Sequence, residues 1–161
     1  MALAYLLLGS NVGNRRRYLR AAAGAVKGWA KTTMLEASSV WETRPEGFLR
    51  QRAFFNQAVA IETRLEPAAL LIWAKKTELE LGRRKRRRWG PREIDMDILL
   101  YGRRRVRRSW LVIPHPRLHR RAFALKPLAE LCPRMTHPVL GERIAVLAER
   151  LPSDAVRRLD D

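Results

Sequence analysis

Arg88-Trp89-Gly90-Pro91-Arg92-Glu93-Ile94-Asp95-Met96-Asp97-Ile98-Leu99-Leu100 leads from a basic loop into an apolar run that carries two carboxylates two residues apart. An extended chain turns successive side chains to opposite faces, so Asp95 and Asp97 share one face while Ile94, Met96 and Ile98 share the other. At ~3.3 Å of rise per residue the two aspartate Cα atoms lie roughly 6–7 Å apart, and their oxygens can converge on a hard cation such as Mg²⁺. Aspartates are poor strand formers and repel each other unless a cation or an arginine stands between them. Arg83 to Arg88 and Arg92 supply that positive charge just upstream. Carboxylates able to hold metal, beside clustered guanidinium groups, suit the handling of a polyphosphate.

Outward from this strand, the chain alternates strand and helix patterns. Ala2–Leu8 is a continuous apolar run, read as a buried strand. Gly9-Ser10-Asn11-Val12-Gly13-Asn14 breaks it and can cap a helix over Asn14–Trp29. Thr32–Trp41 reads as a strand, Arg44–Arg52 as a polar loop and Phe54–Thr63 as another strand. Glu66–Leu81 is an amphipathic helix, with Pro67 in its first turn and Gly82 just past its end. Ile94–Tyr101 is the aspartate strand, and Leu111–Ile113 is placed beside it. Phe123–Leu131 and Glu142–Leu151 complete the chain as short helices. The leading order is strand, helix, strand, strand, helix, strand. That predicts an α+β fold with a ferredoxin-like βαββαβ core and a C-terminal helical extension, all in one domain over residues 1–161.

Composition narrows the function. The chain has 161 residues, enough to bury ~70% of its extended surface. Lys and Arg number 33 against 16 acids, a net charge of +17 that draws polyanions of any kind. The one cysteine, Cys132, excludes an internal disulfide and reads as a small core residue in a reducing compartment. The apolar Met1–Leu8 lacks a charged leader and is too short to span a bilayer, so a cytoplasmic protein is expected.

Each motif has a plainer alternative. Asp95 and Asp97 can be surface acids on an edge strand, paired with nearby arginines. Arg83 to Arg88 can be a solvated loop, in which adjacent cations repel by ~1 kcal/mol each and oppose compaction until an anion arrives. Arg103-Arg104-Arg105-Val106-Arg107-Arg108 has no acidic or aromatic companion and is read as surface, a nonspecific polyanion contact at most. Trp89 and Phe54 can be core aromatics. Asn56, between an aromatic pair and an apolar strand, is less ordinary, because a buried amide must find partners and a planar heterocycle would supply them. His115 is held between Pro114 and Pro116, which suits a phosphate contact.

In this order and spacing the segments resemble 6-hydroxymethyl-7,8-dihydropterin pyrophosphokinase of folate biosynthesis. Gly9-Ser10-Asn11-Val12-Gly13-Asn14, Ser39-Val40-Trp41-Glu42-Thr43, Phe54-Phe55-Asn56, the run from Leu81 to Leu99, and Ile113-Pro114-His115-Pro116-Arg117-Leu118 with Arg121, Phe123 and Pro127-Leu128 carry the likeness. The resemblance implies transfer of pyrophosphate from ATP to the pterin hydroxymethyl group, with release of AMP. Asp95 and Asp97 would bind two Mg²⁺ ions. Arg83, Lys85, Arg92, His115 and Arg121 would surround phosphate oxygens, of which Arg83, Lys85 and Arg92 join the acid pair as catalytic groups. Glu78 and Ile98 match positions near the ATP nucleoside. Thr43, Glu46, Phe54, Asn56, Trp89 and Phe123 match the pterin side. Family members commonly act as monomers. Lys85 stands where an arginine is usual, giving a point charge in place of a fork. The competing classes are a nucleic-acid-binding module on a ferredoxin-like sheet, supported by the charge but lacking an RNP-like aromatic motif, and a nucleotidyltransferase that would release pyrophosphate.

Overall fold

The computed structural model describes residues 1–44 and 50–160. In chain order the elements are β1 (Ala2–Ser10), α1 (Arg15–Lys27), β2 (Thr32–Ala37), β3 (Trp41–Thr43), β4 (Phe54–Thr63), α2 (Pro67–Glu80), β5 (Asp95–Tyr101), β6 (Val106–Arg108), β7 (Leu111–Ile113), α3 (Ala122–Leu131), α4 (Ile144–Glu149) and β8 (Val156–Arg158). The result is a mixed α/β fold in which β1, β2, β3, β4, β5 and β8 build one sheet. Its order is β5-β1-β4-β3-β8, with β2 also on β4, and every pairing is antiparallel.

β1 explains why the sheet is covered on both sides. Its side chains alternate between two apolar clusters, as a strand buried on both faces requires. Ala4, Leu6 and Leu8 join Met96 and Ile98 against Leu19, Ala22 and Val26 of α1 and Leu70 and Ala74 of α2. Tyr5 and Leu7 join Leu99 against Ala124, Leu125 and Leu128 of α3 and Ile144 and Leu147 of α4. Asn14 caps α1, its side chain accepting from Arg17 N–H at 3.1 Å. Pro67 opens α2, where its missing N–H costs nothing.

Several sequence expectations need correction. The strand expected over Thr32–Trp41 is two, β2 and β3, because the intervening Ser38 turns its hydroxyl to the Ala58 N–H at 2.9 Å and interrupts the ladder. Helix α2 is less cleanly amphipathic than its spacing suggests: Leu70, Ala74 and Thr77 are buried, but Ile72 and Leu79 face outward at 67% and 71% exposure. β7 does not join β5 in a ladder. It pairs with β6, drawn from the arginine cluster, as a separate hairpin with Val106 opposite Ile113. The C-terminal extension is not purely helical, since β8 returns to pair with β3, Val156 lying opposite Thr43.

A buried side-chain bond ties the turn after α1 to α2. Trp29 Nε1–H donates to Thr77 Oγ1 at 3.0 Å. Thr77→Val keeps the shape and strands that N–H, so urea unfolding should show a loss of roughly 1–3 kcal/mol, with Thr77→Ser close to wild type. Equal midpoints for the Val and Ser variants would show that the bond contributes nothing.

Candidate active site

The register of three strands builds the floor of the site. Asp95 lies opposite Gly9, Gly9 opposite Asn56, and Asn56 opposite Trp41. One step along the same face, Asp97 lies opposite Leu7. Gly9 is the gap in this row: a Cβ there would stand 2.7 Å from Asn56 Oδ1. Over the gap opens a cleft. Phe54, Trp89 and Phe123 wall it, and Asn56 and Thr43 sit at its base, with Asn56 Nδ2–H donating to Thr43 Oγ1 at 3.0 Å. Asp95, Asp97, Arg92 and Arg121 close its other end.

Beyond that end lies an open basin whose lining includes Asp95, Asp97, Arg83, Arg92, His115 and Arg121. Arg83 bridges two carboxylates, 2.8 Å from Glu78 Oε2 and 2.8 Å from Asp95 Oδ1. Arg92 takes the other Asp95 oxygen at 2.6 Å. Burial pushes Asp95 up, but Arg92 and then Arg83 outweigh it and hold the carboxyl below the usual range. Asp97 has no ion pair among the described residues. Burial, and then the Asp95 charge, push it up to about 7. Burial likewise raises Glu78, which accepts the Met96 N–H at 2.8 Å. Burial and then Arg121 lower His115 to about 4, so it is neutral at pH 7. Its Nδ1 accepts the Arg117 N–H at 3.2 Å, which leaves Nε2–H free to donate.

The structure therefore brings together most of the residues singled out in the sequence. Thr43, Phe54, Asn56, Trp89 and Phe123 surround one cleft; Arg83, Arg92, Asp95, Asp97, His115 and Arg121 surround the adjoining basin. Glu78 and Lys85 line a separate cavity between α2 and the basic loop, Lys85 on its exposed rim. Ile98 packs into the core against α1 and α2, away from both the cleft and the basin. Glu46 lies outside the described residues. The basic run is less free of partners than its charge suggests: Arg83 has its two acids, and Arg86 pairs with the buried Glu93 at 2.7 Å.

Sequence reasoning missed three side chains. Asn11 is buried, accepts the Arg92 N–H at 2.8 Å and donates to Gln51 Oε1 at 2.9 Å and to the Arg52 carbonyl at 3.0 Å. Gln51 Nε2–H in turn holds the Trp89 carbonyl at 2.7 Å. Arg117 lies over the Trp89 ring, 4.8 Å from its centroid. Asn11 and Arg117 lie inside segments that carry the likeness, but nothing in their local sequence pointed to these contacts, and Gln51 lies in the polar loop.

The donor set fits a hard divalent cation. Two carboxylates, Asp95 and Asp97, share a face at the mouth of a basic basin, and hard oxygen donors in such a pair suit Mg²⁺. No cluster of three or more His, Cys, Asp or Glu occurs among the described residues, so phosphate oxygens and water would complete any coordination shell.

An acid pair under guanidinium groups opens onto an aromatic-walled cleft with an amide at its base, the arrangement of a phosphate-handling enzyme of the α/β class. Residues 5–133 match the model of the 7,8-dihydro-6-hydroxymethylpterin-pyrophosphokinase (HPPK) family, and the chain belongs to that family. It is 46% identical over 130 residues to the 2-amino-4-hydroxy-6-hydroxymethyldihydropteridine pyrophosphokinase of Bacillus subtilis, covering 81% of this chain and 78% of that one. It is 40% identical to the protein of the same name from Methylorubrum extorquens, over 99% of this chain and 100% of that one. A Plasmodium falciparum HPPK-DHPS crystal structure superposes with a TM-score of 0.74 at 15% identity, over 98% of this chain and 47% of that longer one, a likeness of fold. The family's reaction is ATP- and magnesium-dependent pyrophosphoryl transfer to a hydroxymethyl-dihydropterin, a step of folate biosynthesis. Among the described residues no helix is long and apolar enough to cross a membrane.

The Asp97 shift has a sign that can be measured without substrate. Its value of about 7 in the folded state lies above the ordinary 3.8. The proton therefore stabilises the fold, fully below the ordinary value, and that contribution is lost as pH rises through about 7. His115, lowered to about 4, acts oppositely across part of the window, so a variant must isolate the aspartate. In EDTA, Asp97→Asn should match wild type in thermal stability near pH 4 and exceed it by a margin that grows to a plateau above pH 7. A margin independent of pH would show that Asp97 is not perturbed.

Proposed function

We propose that the cleft holds the reduced pterin and the basin holds the ATP phosphates, so that the hydroxymethyl oxygen meets the β-phosphorus at Asp95 and Asp97. The observation that carries this reading is the Asp95–Gly9–Asn56 row, which sets a phosphate-side carboxylate and a ring-side amide on either side of a residue with no side chain. The alcohol oxygen forms a bond to the β-phosphorus, the bond from that phosphorus to the α–β bridging oxygen breaks, and AMP leaves. The hydroxyl proton passes to solvent. Nothing else covalent is asked of the protein, so its work is positioning and charge neutralisation.

The division of labour follows from chemistry. Asn56 and Thr43 hydrogen-bond the pterin edge, and Phe54, Trp89 and Phe123 enclose its faces. Glu46 belongs to this side by its place in the sequence. Arg83 and Arg92 guard Asp95 in the free protein. When a triphosphate arrives these guanidinium groups turn to its oxygens, with Arg121, the neutral His115 Nε2–H and Lys85 adding contacts. Asp95 and Asp97 would then hold two Mg²⁺ ions, which supply further neutralisation and alignment of the phosphates. Glu78 keeps Arg83 and the start of β5 in place, beside the nucleoside; Ile98 supports the strand from behind. The same reading makes residues 1–161 one pyrophosphokinase domain on a ferredoxin-like βαββαβ core, in which β2 and β3 together act as the second strand. It makes the protein a cytoplasmic monomer whose partners are ATP and the pterin, with no membrane and no specific nucleic acid among them.

Phosphorus NMR of the reaction should show AMP and a pterin diphosphate; ADP or free pyrophosphate as the product would defeat the reading. Asp97→Ala and Asp95→Ala should each lower kcat by orders of magnitude while changing pterin affinity little. Asn56→Ala should weaken pterin binding by about 1–3 kcal/mol, left with unpaired ring groups, and spare a nonhydrolysable ATP analogue. Calorimetry separates the two, and equal loss for both ligands would place the pterin elsewhere.

A further inference from the structure

Arg117 is given no part in the reaction above, yet its side chain holds an aromatic wall of the cleft. Trp89 stands at φ +63°, a left-handed backbone that bulky L residues rarely adopt and keep only when their surroundings insist. Those surroundings are specific. Gln51 Nε2–H holds the Trp89 carbonyl at 2.7 Å. The next residue closes a tight turn, Gly90 N–H meeting the Arg87 carbonyl at 3.0 Å. A Cβ at Gly90 would lie 2.8 Å from Arg87 Cγ, so the turn has no slack for a larger residue.

The backbone fixes where Trp89 leaves the chain; cations fix its ring. The Arg117 guanidinium carbon lies 4.8 Å from the ring centroid, Arg88 5.3 Å and Arg121 5.5 Å. Arg117 is the nearest of the three. Arg121 is shared, 5.3 Å from the Phe123 ring as well, and Arg88 belongs to the basic loop itself and so moves with Trp89. Arg117 and Arg121 both reach the ring from outside the loop, and Arg117 is the nearer and, among the described residues, the one with no second ring in the same reach. The Arg117 N–H is tied to His115 Nδ1 at 3.2 Å, and the next residue, Leu118, is fully buried. Arg117 lines the basin and not the cleft, whereas Trp89 lines both.

We infer that Arg117 is a positioning residue: its guanidinium latches the Trp89 ring against the cleft, and so sets the affinity for the planar substrate without touching it. The effect on pterin rests on the reading of the cleft given above; the latch itself is a property of the free protein. A surface arginine that merely rests on a tryptophan would leave loop and affinity unchanged when removed. A latch couples them.

The test is a double-mutant cycle on Arg117→Ala and Trp89→Ala with two readouts. In free protein, hydrogen exchange over residues 83–91 should quicken roughly three- to thirty-fold in Arg117→Ala, the range spanned by a cation–π contact, and Arg117→Lys should restore part of the protection. In the presence of a saturating nonhydrolysable ATP analogue, calorimetry should show pterin affinity falling by a similar factor. Both effects should vanish in the Trp89→Ala background. Unchanged exchange in Arg117→Ala, or an equal loss of affinity with and without Trp89, overturns the latch. If wild-type protein binds no pterin, the cleft reading fails, and the exchange arm still decides the latch by itself.

Discussion

Arg83 between Glu78 and Asp95 is the contact on which the rest of the site depends. Glu78 is almost fully buried near the end of α2, and Asp95 opens the edge strand β5. Two carboxylates brought this close cannot both ionise in a poorly solvated site without a cation between them. Arg83 supplies it, with Arg92 on the far oxygen of Asp95. Glu78 also accepts the Met96 N–H at 2.8 Å and Lys75 Nζ at 3.2 Å, and the former pins the start of β5 to α2. Removing one partner of such a network costs more than the network contributes, because the others are left buried and unpaired. The basic loop therefore begins from a fixed point although the charge that follows opposes compaction.

That fixed point sets what the neighbouring strands can do. With Asp95 held, the antiparallel register places Gly9 and then Asn56 beside it, and the alternation of side chains keeps all three on the face covered by α3. A one-residue slip of β5 would carry both aspartates into the apolar layer under α1 and α2, where Met96 and Ile98 now pack. The apolar packing behind the strand and the polar row in front of it are therefore one constraint. Asn11 adds the third side. Its buried carboxamide ties Arg92 to residues 51 and 52, so the segment that carries the acids and the segment that leads into β4 share one hinge.

How much of this was legible in the sequence follows from the range of each interaction. The alternation in Ile94–Tyr101 is local, and it placed Asp95 and Asp97 on one face and Met96 and Ile98 on the other. Proline and glycine at the ends of α2 are local too, and they bounded that helix to within a residue or two. The break at Ser38 was not legible, because it depends on a bond to Ala58 in another strand. Nor was the pairing of β8 with β3, which joins short segments more than a hundred residues apart. In the site, residues with distinctive chemistry were found and their supports were not. Asn56 and His115 stand out by residue type and neighbours, whereas Gln51 and Arg117 resemble any polar residue in a loop until folding sets them against Trp89.

The charge of the chain takes on a different meaning once its acids are located. Several of them are spent internally: Glu78 and Asp95 on Arg83 and Arg92, Glu93 on Arg86, and Glu42 near Arg15 and Arg157. The unbalanced cations are left outside, on the rim of the loop and on the β6–β7 hairpin, where Arg103, Arg107 and Arg108 are exposed. A folded state that holds many like charges is destabilised by their repulsion, and a bound polyanion relieves it. Salt screens exposed cations more strongly than half-buried ones. The contribution of the rim and hairpin should therefore fade at high ionic strength, while that of Arg83 and Arg92, facing Asp95 across less than 3 Å, persists. The two groups of arginines differ for that reason: the outer ones draw any polyanion through a screened field, whereas the inner pair is already committed to the Asp95 carboxylate, and only a group with a comparable charge and geometry can compete for it.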